Sequence, residues 1–465
     1  MSNKYKSIFL IIFAFVFVQR VYSQDTLRLD DYLDMVGENH PLIQKAKLFE
    51  NVAEAYSLKA KGVLDPKIES AYDRKRFKDT PYFTVWQTEA KIPTRYPVDL
   101  SIGYENNAGS SFLNDQNSLP DNGLIYGTIN VTLLRGLIFD EQRFNIQNAD
   151  LNALMGEVEG EIIRREVYYQ AVDAYIRWSA AQEKNIVYLD FLETLQQRHQ
   201  NVIELFENGD KPAIDTIESR VNLNTAQKNL LDARQELLKS QQKTALFLWD
   251  DKGNPLSIRA DVAPENLLSS VTNVEERAII ENPLFSVDPL VRKMDNKISQ
   301  ISLNNKLIRE NLKPELNLKY NTILNLGKDE LDPTFTLNDY KYGVTASIPI
   351  LNRKTRGDIM LNDVKIEQTM FERSQYEQKL FNEYTMLIAN QDLQEQTLDV
   401  SVEKFTNSQT LLEAEIIKFG LGESSVFMLN SRERKLLEAR LEILKSYSKL
   451  GLTAASLYFL KMGQF

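Results

Sequence analysis

The sequence predicts a mainly helical chain of long coiled-coil helices that also carries the strands of a transmembrane β-barrel. Three observations predict this: the chain is a tandem duplication, its heptad seams outrun any globular helix, and its apolar period falls from 3.5 to 2 between the helices. The 465 residues alone suggest about three domains. The duplication sets a different organisation.

Compared with itself, the chain repeats one unit. Asn39-His40-Pro41-Leu42 is followed, 25 residues after its proline, by Leu64-Asp65-Pro66-Lys67-Ile68; Val287-Asp288-Pro289-Leu290 is followed at the same spacing by Leu312-Lys313-Pro314-Glu315-Leu316. Tyr72 matches Tyr320, and Tyr126-Gly127 matches Tyr342-Gly343. Further on, Phe206-Glu207-Asn208-Gly209 answers Ile417-Lys418-Phe419-Gly420, and Glu218-Ser219-Arg220 answers Asn430-Ser431-Arg432. The first copy spans 24–250 and the second 273–465, with a linker over 251–272. Each copy reads as helices, strands, a very long helix, a tight turn and a return helix. In the first copy these are strands about 67–134, a long helix about 140–208 and a return helix about 212–250. In the second they are strands about 315–351, a long helix about 356–419 and a return helix about 424–460. The first copy holds about 30 extra residues between Tyr72 and Tyr126.

The long helix of the first copy is read from an unbroken 4-3 spacing. Positions 167, 171, 174, 178, 181, 185, 188, 192, 195, 199, 202 and 206 hold ten apolar residues, interrupted only by Asn185 and His199. That is a coiled-coil seam. No proline interrupts 139–208, so the helix can run about 100 Å at 1.5 Å per residue. The second copy keeps Leu398, Phe405, Leu412 and Phe419 seven apart, and its return helix keeps Leu429, Leu436, Ile443 and Leu450.

The strands are read from alternation. Leu316, Leu318 and Tyr320 alternate with Glu315, Asn317 and Lys319, while Tyr342, Val344, Ala346, Ile348 and Ile350 share one face. One face is greasy and the other wet, and with Tyr72, Phe77, Trp86, Tyr104, Tyr126, Tyr320 and Tyr340 scattered near strand ends the pattern fits a transmembrane barrel with aromatic girdles. A half-buried sheet on a soluble core is the alternative. A barrel cannot close on so few strands, so the barrel reading carries an oligomer with it.

The N-terminus reads as a signal peptide over 1–23: Lys4 and Lys6 precede an apolar run from Ile8 to Val18, and Val21-Tyr22-Ser23 ends in a small residue. The alternative is a retained anchor with Arg20 as its stop. Cleavage removes Lys4, Lys6 and Arg20 and no acid, taking the net charge from −10 to −13. So acidic a chain disfavours a nucleic-acid partner. Beyond the signal no apolar run of 18 residues exists, which excludes helical membrane spans. With no cysteine and only His40 and His199, thiolate, zinc and disulfide chemistry is excluded. Nor is there a Gly-rich phosphate loop or a histidine beside a nucleophile, so neither an enzyme nor a cofactor is expected. His199, on the seam, suits a register-setting role.

These residues give a chain that resembles the TolC-type outer membrane efflux protein family. The resemblance rests on the signal segment, the two helices ending in Leu-x-Pro before a strand, and the two glycine turns between coiled-coil arms; it covers residues 25–460. It implies a homotrimer with one β-barrel in the outer membrane of a diderm bacterium and an α-helical barrel in the periplasm. It further implies the exit duct of a tripartite efflux pump or type I secretion system, partnered by a periplasmic adaptor, an inner-membrane transporter and outer-membrane lipid. The turns, with Gly209, Asp210, Pro212, Gly420 and Gly422, are the expected adaptor-docking tips. Asp215 and Glu218 from the first copy, or Phe427 and Asn430 from the second, are the candidate gate.

Two departures stand out. The family usually gives two strands per repeat, whereas the first copy offers four: Lys67–Phe77, Phe83–Pro93, Val98–Asn106 and Ile125–Leu134. The extra pair enlarges the barrel or forms an external hairpin. The acidic gate ring that the family places in the second copy falls here on Phe427 and Asn430. An exported coiled-coil structural or adhesin-like protein is the rival class, and detergent dependence separates the two.

Overall fold

A computed structural model describes residues 25–109, 119, 123–278, 285–325 and 338–461; the segment 1–23 read as a signal peptide lies outside the described residues. The first copy runs β1 (Asp25–Leu27), α1 (Leu29–Asn39), α2 (Pro41–Lys61), β2 (Lys67–Phe77), β3 (Thr80–Ile92), β4 (Val98–Gly109), β5 (Leu124–Leu134), α3 (Glu141–Glu207) and α4 (Ala213–Ala245). The second runs β6 (Val262–Pro264), α5 (Leu267–Ala278), α6 (Pro289–Glu310), β7 (Glu315–Asn325), β8 (Tyr340–Ser347), α7 (Arg353–Gly420) and α8 (Val426–Lys461). The order is the same in both copies apart from β3 and β4. Residues 251–272, read as a linker, contain β6 and the start of α5, and β6 pairs in parallel with β1 from Asp25↔Val262 to Leu27↔Pro264.

Proline places the element ends. Pro41 and Pro289 open α2 and α6 at a position where a missing N–H costs nothing, and Asp288 caps α6 by accepting from the Leu290 N–H at 2.9 Å. Pro66 and Pro314 then force the chain into extended backbone, and β2 and β7 begin at the next residue.

The described chain divides into two compact units, and each draws on both copies. Of the described residues the first unit takes 25–45, 163–278, 285 and 380–461. Its core joins Leu29, Tyr32 and Val36 of α1, Val167, Tyr175 and Trp178 of α3, Val271 of α5 and Leu450, Ala454 and Leu457 of α8. Hydroxyls at the centre of this core are bonded: the Tyr32 hydroxyl donates to the Thr244 carbonyl at 3.2 Å, and the Thr244 hydroxyl donates to the Ala174 carbonyl at 3.1 Å. Tyr175 donates to the Leu27 carbonyl at 2.5 Å and accepts from the Glu265 N–H at 3.1 Å, which ties α3 to the segments flanking α1 and α5.

Gly451 marks the closest approach in this core, since a Cβ there would lie 2.6 Å from Val271 Cγ2. In an open helix position Gly→Ala gains about 1 kcal/mol. At Gly451 the stiff β-branched neighbour reverses the sign, so Gly451→Ala lowers the melting temperature. Gly357→Ala in α7, with nothing within 4 Å, raises it. Thermal unfolding of both variants checks the pair.

The second unit takes residues 46–162 and 286–379. Its helices meet through polar layers: Arg292 of α6 pairs with Glu161 of α3 at 2.5 Å, Lys293 pairs with Glu159, and Arg373 of α7 reaches Asp295 at 2.6 Å. The six long strands of this unit form one antiparallel sheet in the order β2-β3-β4-β5-β7-β8. Lys78 and Asp79, with φ of 49° and 59°, make the two-residue turn between β2 and β3, the left-handed geometry that matches strand twist.

Candidate functional site

Two features of the chain bear on function, one in each unit: the paired helix turns and the two-faced sheet.

The turns lie in the first unit. At the end of α3 the Asp210 N–H donates to the Leu205 carbonyl and the Gly209 N–H to the Phe206 carbonyl, both at 2.9 Å. At the end of α7 the Glu423 N–H donates to the Lys418 carbonyl at 2.9 Å and the Gly422 N–H to the Phe419 carbonyl at 3.1 Å. Both are Schellman endings, and their glycines carry φ of +84° at Gly209 and +75° at Gly422. Gly422, not Gly420, is therefore the counterpart of Gly209; Gly420 is the last residue of α7. The copies thus align two residues away from the match of Gly209 with Gly420, and Phe419 answers Phe206. Lys211 Nζ lies 4.7 Å from the centre of the Phe419 ring, so the two turns meet at one tip.

The candidate gate residues follow these turns directly. Pro212 precedes α4 in extended backbone and accepts from the Asp215 N–H at 3.1 Å. Asp215 stands in the first turn of α4, where the helix dipole favours a carboxylate. Glu218 is half-buried, while Asp210 is exposed. In α8, Val426 and Leu429 are fully buried and Phe427 is 60% exposed, so the packing of this turn is done by its neighbours and the Phe427 ring is left outside. Asn430 is half-buried, with its amide nitrogen buried and unbonded in the single chain. His199 bonds Ser219 across the α3–α4 hairpin at 2.7 Å, and burial, with Arg220 nearby, lowers its pKa.

Sequence reasoning missed the ion pairs of this region. Arg198 of α3 meets Glu433 of α8 at 2.9 Å, joining the two copies, and Arg440 meets Asp190 at 3.3 Å. Burial raises the Glu433 pKa and Arg198 only partly offsets it, because the second carboxylate oxygen is buried without a partner. Glu415 of α7 accepts from the Ser424 hydroxyl at 2.5 Å and from Arg432 at 3.3 Å, and these contacts hold its pKa below the ordinary carboxylate value. A signal for Glu433 existed: it falls on the return-helix seam, four residues after Leu429 and three before Leu436.

The sheet separates polar from apolar across its whole width. One cross-strand row holds Lys67, Lys91, Ser101, Thr128, Asn321 and Lys341. The rows on the opposite face hold Ile68, Ala90, Ile102, Gly127, Thr322 and Tyr340, then Ile92, Leu100, Ile129, Tyr320 and Tyr342. The large apolar residues of that second face are exposed in the chain, Ile68, Ile102, Ile129, Tyr342 and Val344 among them. The polar face is bonded to itself: Lys91 pairs with Glu69 at 2.6 Å, Ser101 donates to Glu89 at 2.5 Å, and Gln87 donates to the Tyr126 hydroxyl at 2.8 Å. The Tyr126 ring lies over Gly103, where a Cβ would come within 2.3 Å of it. Strands of 8 to 13 residues suit a tilted crossing of a hydrocarbon layer, which takes about 9–11.

Among the described residues no helix is long and apolar enough to cross a membrane, and no three His, Cys, Asp or Glu side chains converge as a metal site.

No family model and no curated protein matches this sequence. Solved structures do match along nearly its whole length. The CmeC outer membrane channel of Campylobacter jejuni aligns at 12% identity with a TM-score of 0.65, covering 94% of this chain and 86% of that one. CusC, whose crystal structures are described in terms of folding and transmembrane channel formation, aligns at 13% identity and 0.67, over 97% and 96%. The open state of the MtrE outer membrane channel of Neisseria gonorrhoeae aligns at 13% identity and 0.63, over 93% and 88%. At these identities the likeness is one of fold, and that fold is the one implied by the resemblance read from the sequence.

Proposed function

We propose that the chain is a passive exit duct of the outer membrane, built from three copies whose sheets close one barrel and whose helix tips face the periplasm. The observation that carries this is the sheet: six adjacent strands are apolar and exposed on one face, polar and bonded to itself on the other. An apolar face this wide has no place in water and suits lipid, while the opposite face suits an aqueous lumen. The fold shared with solved outer membrane channels supports the same reading. An exported coiled-coil adhesin would have no use for that face.

In this reading the duct is the outer part of a tripartite efflux pump or a type I secretion system, and it does no catalysis. A periplasmic adaptor docks on the paired turns at Gly209, Asp210, Pro212, Gly420 and Gly422, and an inner-membrane transporter supplies the cargo. The tip also holds the gate. Exposed Phe427, with Asn430 beside it, gives an apolar ring that closes by dewetting; Asp215 and Glu218 give an acidic ring that attracts cations.

Single-channel recording of the purified protein in planar bilayers tests duct and gate together. Wild type gives discrete steps. Phe427→Ala raises the conductance for both ion signs, and Asp215→Asn with Glu218→Gln lowers the cation preference. Protein that inserts but gives no steps in any variant contradicts the duct. Steps unchanged in both variants place the gate elsewhere.

A further inference from the structure

We propose that β3 and β4 belong to the membrane wall, so that each copy gives six strands to the barrel and the β8 edge of one copy pairs with the β2 edge of the next. The membrane setting and the three copies rest on the proposed function. The strand count and the edge pairing rest on the sheet itself, and together they give eighteen strands.

The sheet order excludes an external hairpin. β3 and β4 lie between β2 and β5, registered along their lengths from Lys67↔Lys91 to Phe77↔Thr80 on one side and from Val98↔Val131 to Glu105↔Leu124 on the other. Setting the pair outside the wall would strip β2 of its only partner. The two strands also keep the division of faces: Trp86, Ile92, Leu100 and Ile102 lie on the apolar side, Gln87 and Glu89 on the polar one. A hairpin standing in water has no reason to share that apolar face.

The two edges fit each other. β2 offers eleven residues and β8 eight, neither contains a proline, and neither edge has a partner among the described residues. Bare edges this long are a pairing template. Five successive antiparallel pairings leave β2 and β8 running in opposite directions, so an edge-to-edge junction is antiparallel like every other in the sheet. Charge selects the register. Asp73 on β2 and Lys341 on β8 both lie on the polar face, and neither is ion-paired within the described chain. Placing them opposite each other puts Tyr72 against Tyr342, Ile68 against Ala346 and Lys67 against Ser347. Apolar meets apolar at these pairs, Ser70 faces Val344, Arg74 falls beside Tyr340 at the far end, and the feet of the strands finish level.

Eighteen strands at a spacing of about 4.8 Å and a tilt of about 40° give a wall about 36 Å across, against about 24 Å for twelve. A lumen of that size is an aqueous channel of the porin class. The membrane section therefore admits wider cargo than a twelve-stranded wall would, a hydrated chain-like solute included.

The natural absence of cysteine allows a direct test. The full chain carrying Asp73→Cys and Lys341→Cys is oxidised in isolated outer membranes and run without reductant. A three-chain band that collapses on reduction is expected, with none from either single variant or from Phe77→Cys with Lys341→Cys. Averaged images of the unmutated protein in detergent are expected to show eighteen strands. Twelve strands, or a membrane-embedded trimer in which neither Asp73 nor its same-face neighbours Ala71 and Lys75 cross-link to position 341, overturns the inference and leaves the duct standing. A water-soluble monomer overturns the duct. A cross-linked dimer or tetramer keeps the edge pairing and corrects the copy number.

Discussion

Ile129→Arg abolishes assembly of the chain in the outer membrane, whereas Asn130→Arg, one residue along the same strand, leaves it intact. Ile129 sits in the apolar cross-strand row between Leu100 and Tyr320, and its side chain is exposed in the single chain. If that face meets lipid, an arginine near the middle of the layer costs about 2–4 kcal/mol in each copy. Three copies in one barrel multiply the penalty to a size comparable with the whole stability of a domain. Asn130 points to the opposite face, between Asp99 and Lys319, where an added arginine is solvated and has a carboxylate beside it. Heat-modifiable migration of the assembled oligomer from outer membranes reads both outcomes. A half-buried sheet on a soluble core would also reject arginine at Ile129, but its wild-type chain would fold without detergent and give no heat-modifiable oligomer in outer membranes.

The second large effect is expected in the first unit. Glu433, whose side chain is 3% exposed, has Arg198 as its one paired cation among the described residues; Arg198→Ala removes it, and breaking a buried pair from one side costs about 3–5 kcal/mol. Burial already raises the Glu433 pKa, and without Arg198 it rises further. A carboxyl whose folded pKa lies above its unfolded value contributes its stability below the unfolded pKa and loses it as pH rises through the folded one. The Arg198→Ala variant is therefore close to wild type near pH 4 and falls behind as pH rises above the ordinary carboxylate range. Adding Glu433→Leu removes the unpaired charge, recovers most of the loss and flattens the pH profile. Thermal unfolding of the three proteins between pH 4 and pH 8 checks this. A loss that does not vary with pH would mean that packing, not charge, sets the effect.

Much of this architecture was legible in the sequence because helices and strands write their burial in different periods. The 4-3 seam of α3 names residues that the fold buries, among them Val167, Ala171, Trp178, Ala181, Leu195 and Val202. The alternation in β7 and β8 names one face of the sheet, and the prolines mark where helices give way to strands. What was not legible depends on partners distant in the chain. That β3 and β4 belong to the sheet is a matter of pairing on both sides, which alternation within one strand does not specify. Glu433 marks itself as an acid on an apolar seam, but its cation stands in the other copy. The turns show the limit of pattern matching: the sequence sets Gly420 against Gly209, yet the left-handed residue that ends α7 is Gly422. Backbone hydrogen bonds settle that alignment, and they leave Phe427 as an exposed ring beside two buried neighbours.

If three chains share one membrane-embedded duct, the mass of the native particle shows it. The protein is extracted from washed outer membranes and measured in detergent, with the detergent contribution subtracted. A single species of three chains that precipitates when detergent is withdrawn is expected. A monodisperse monomer, soluble without detergent and recovered from the periplasm, would contradict it.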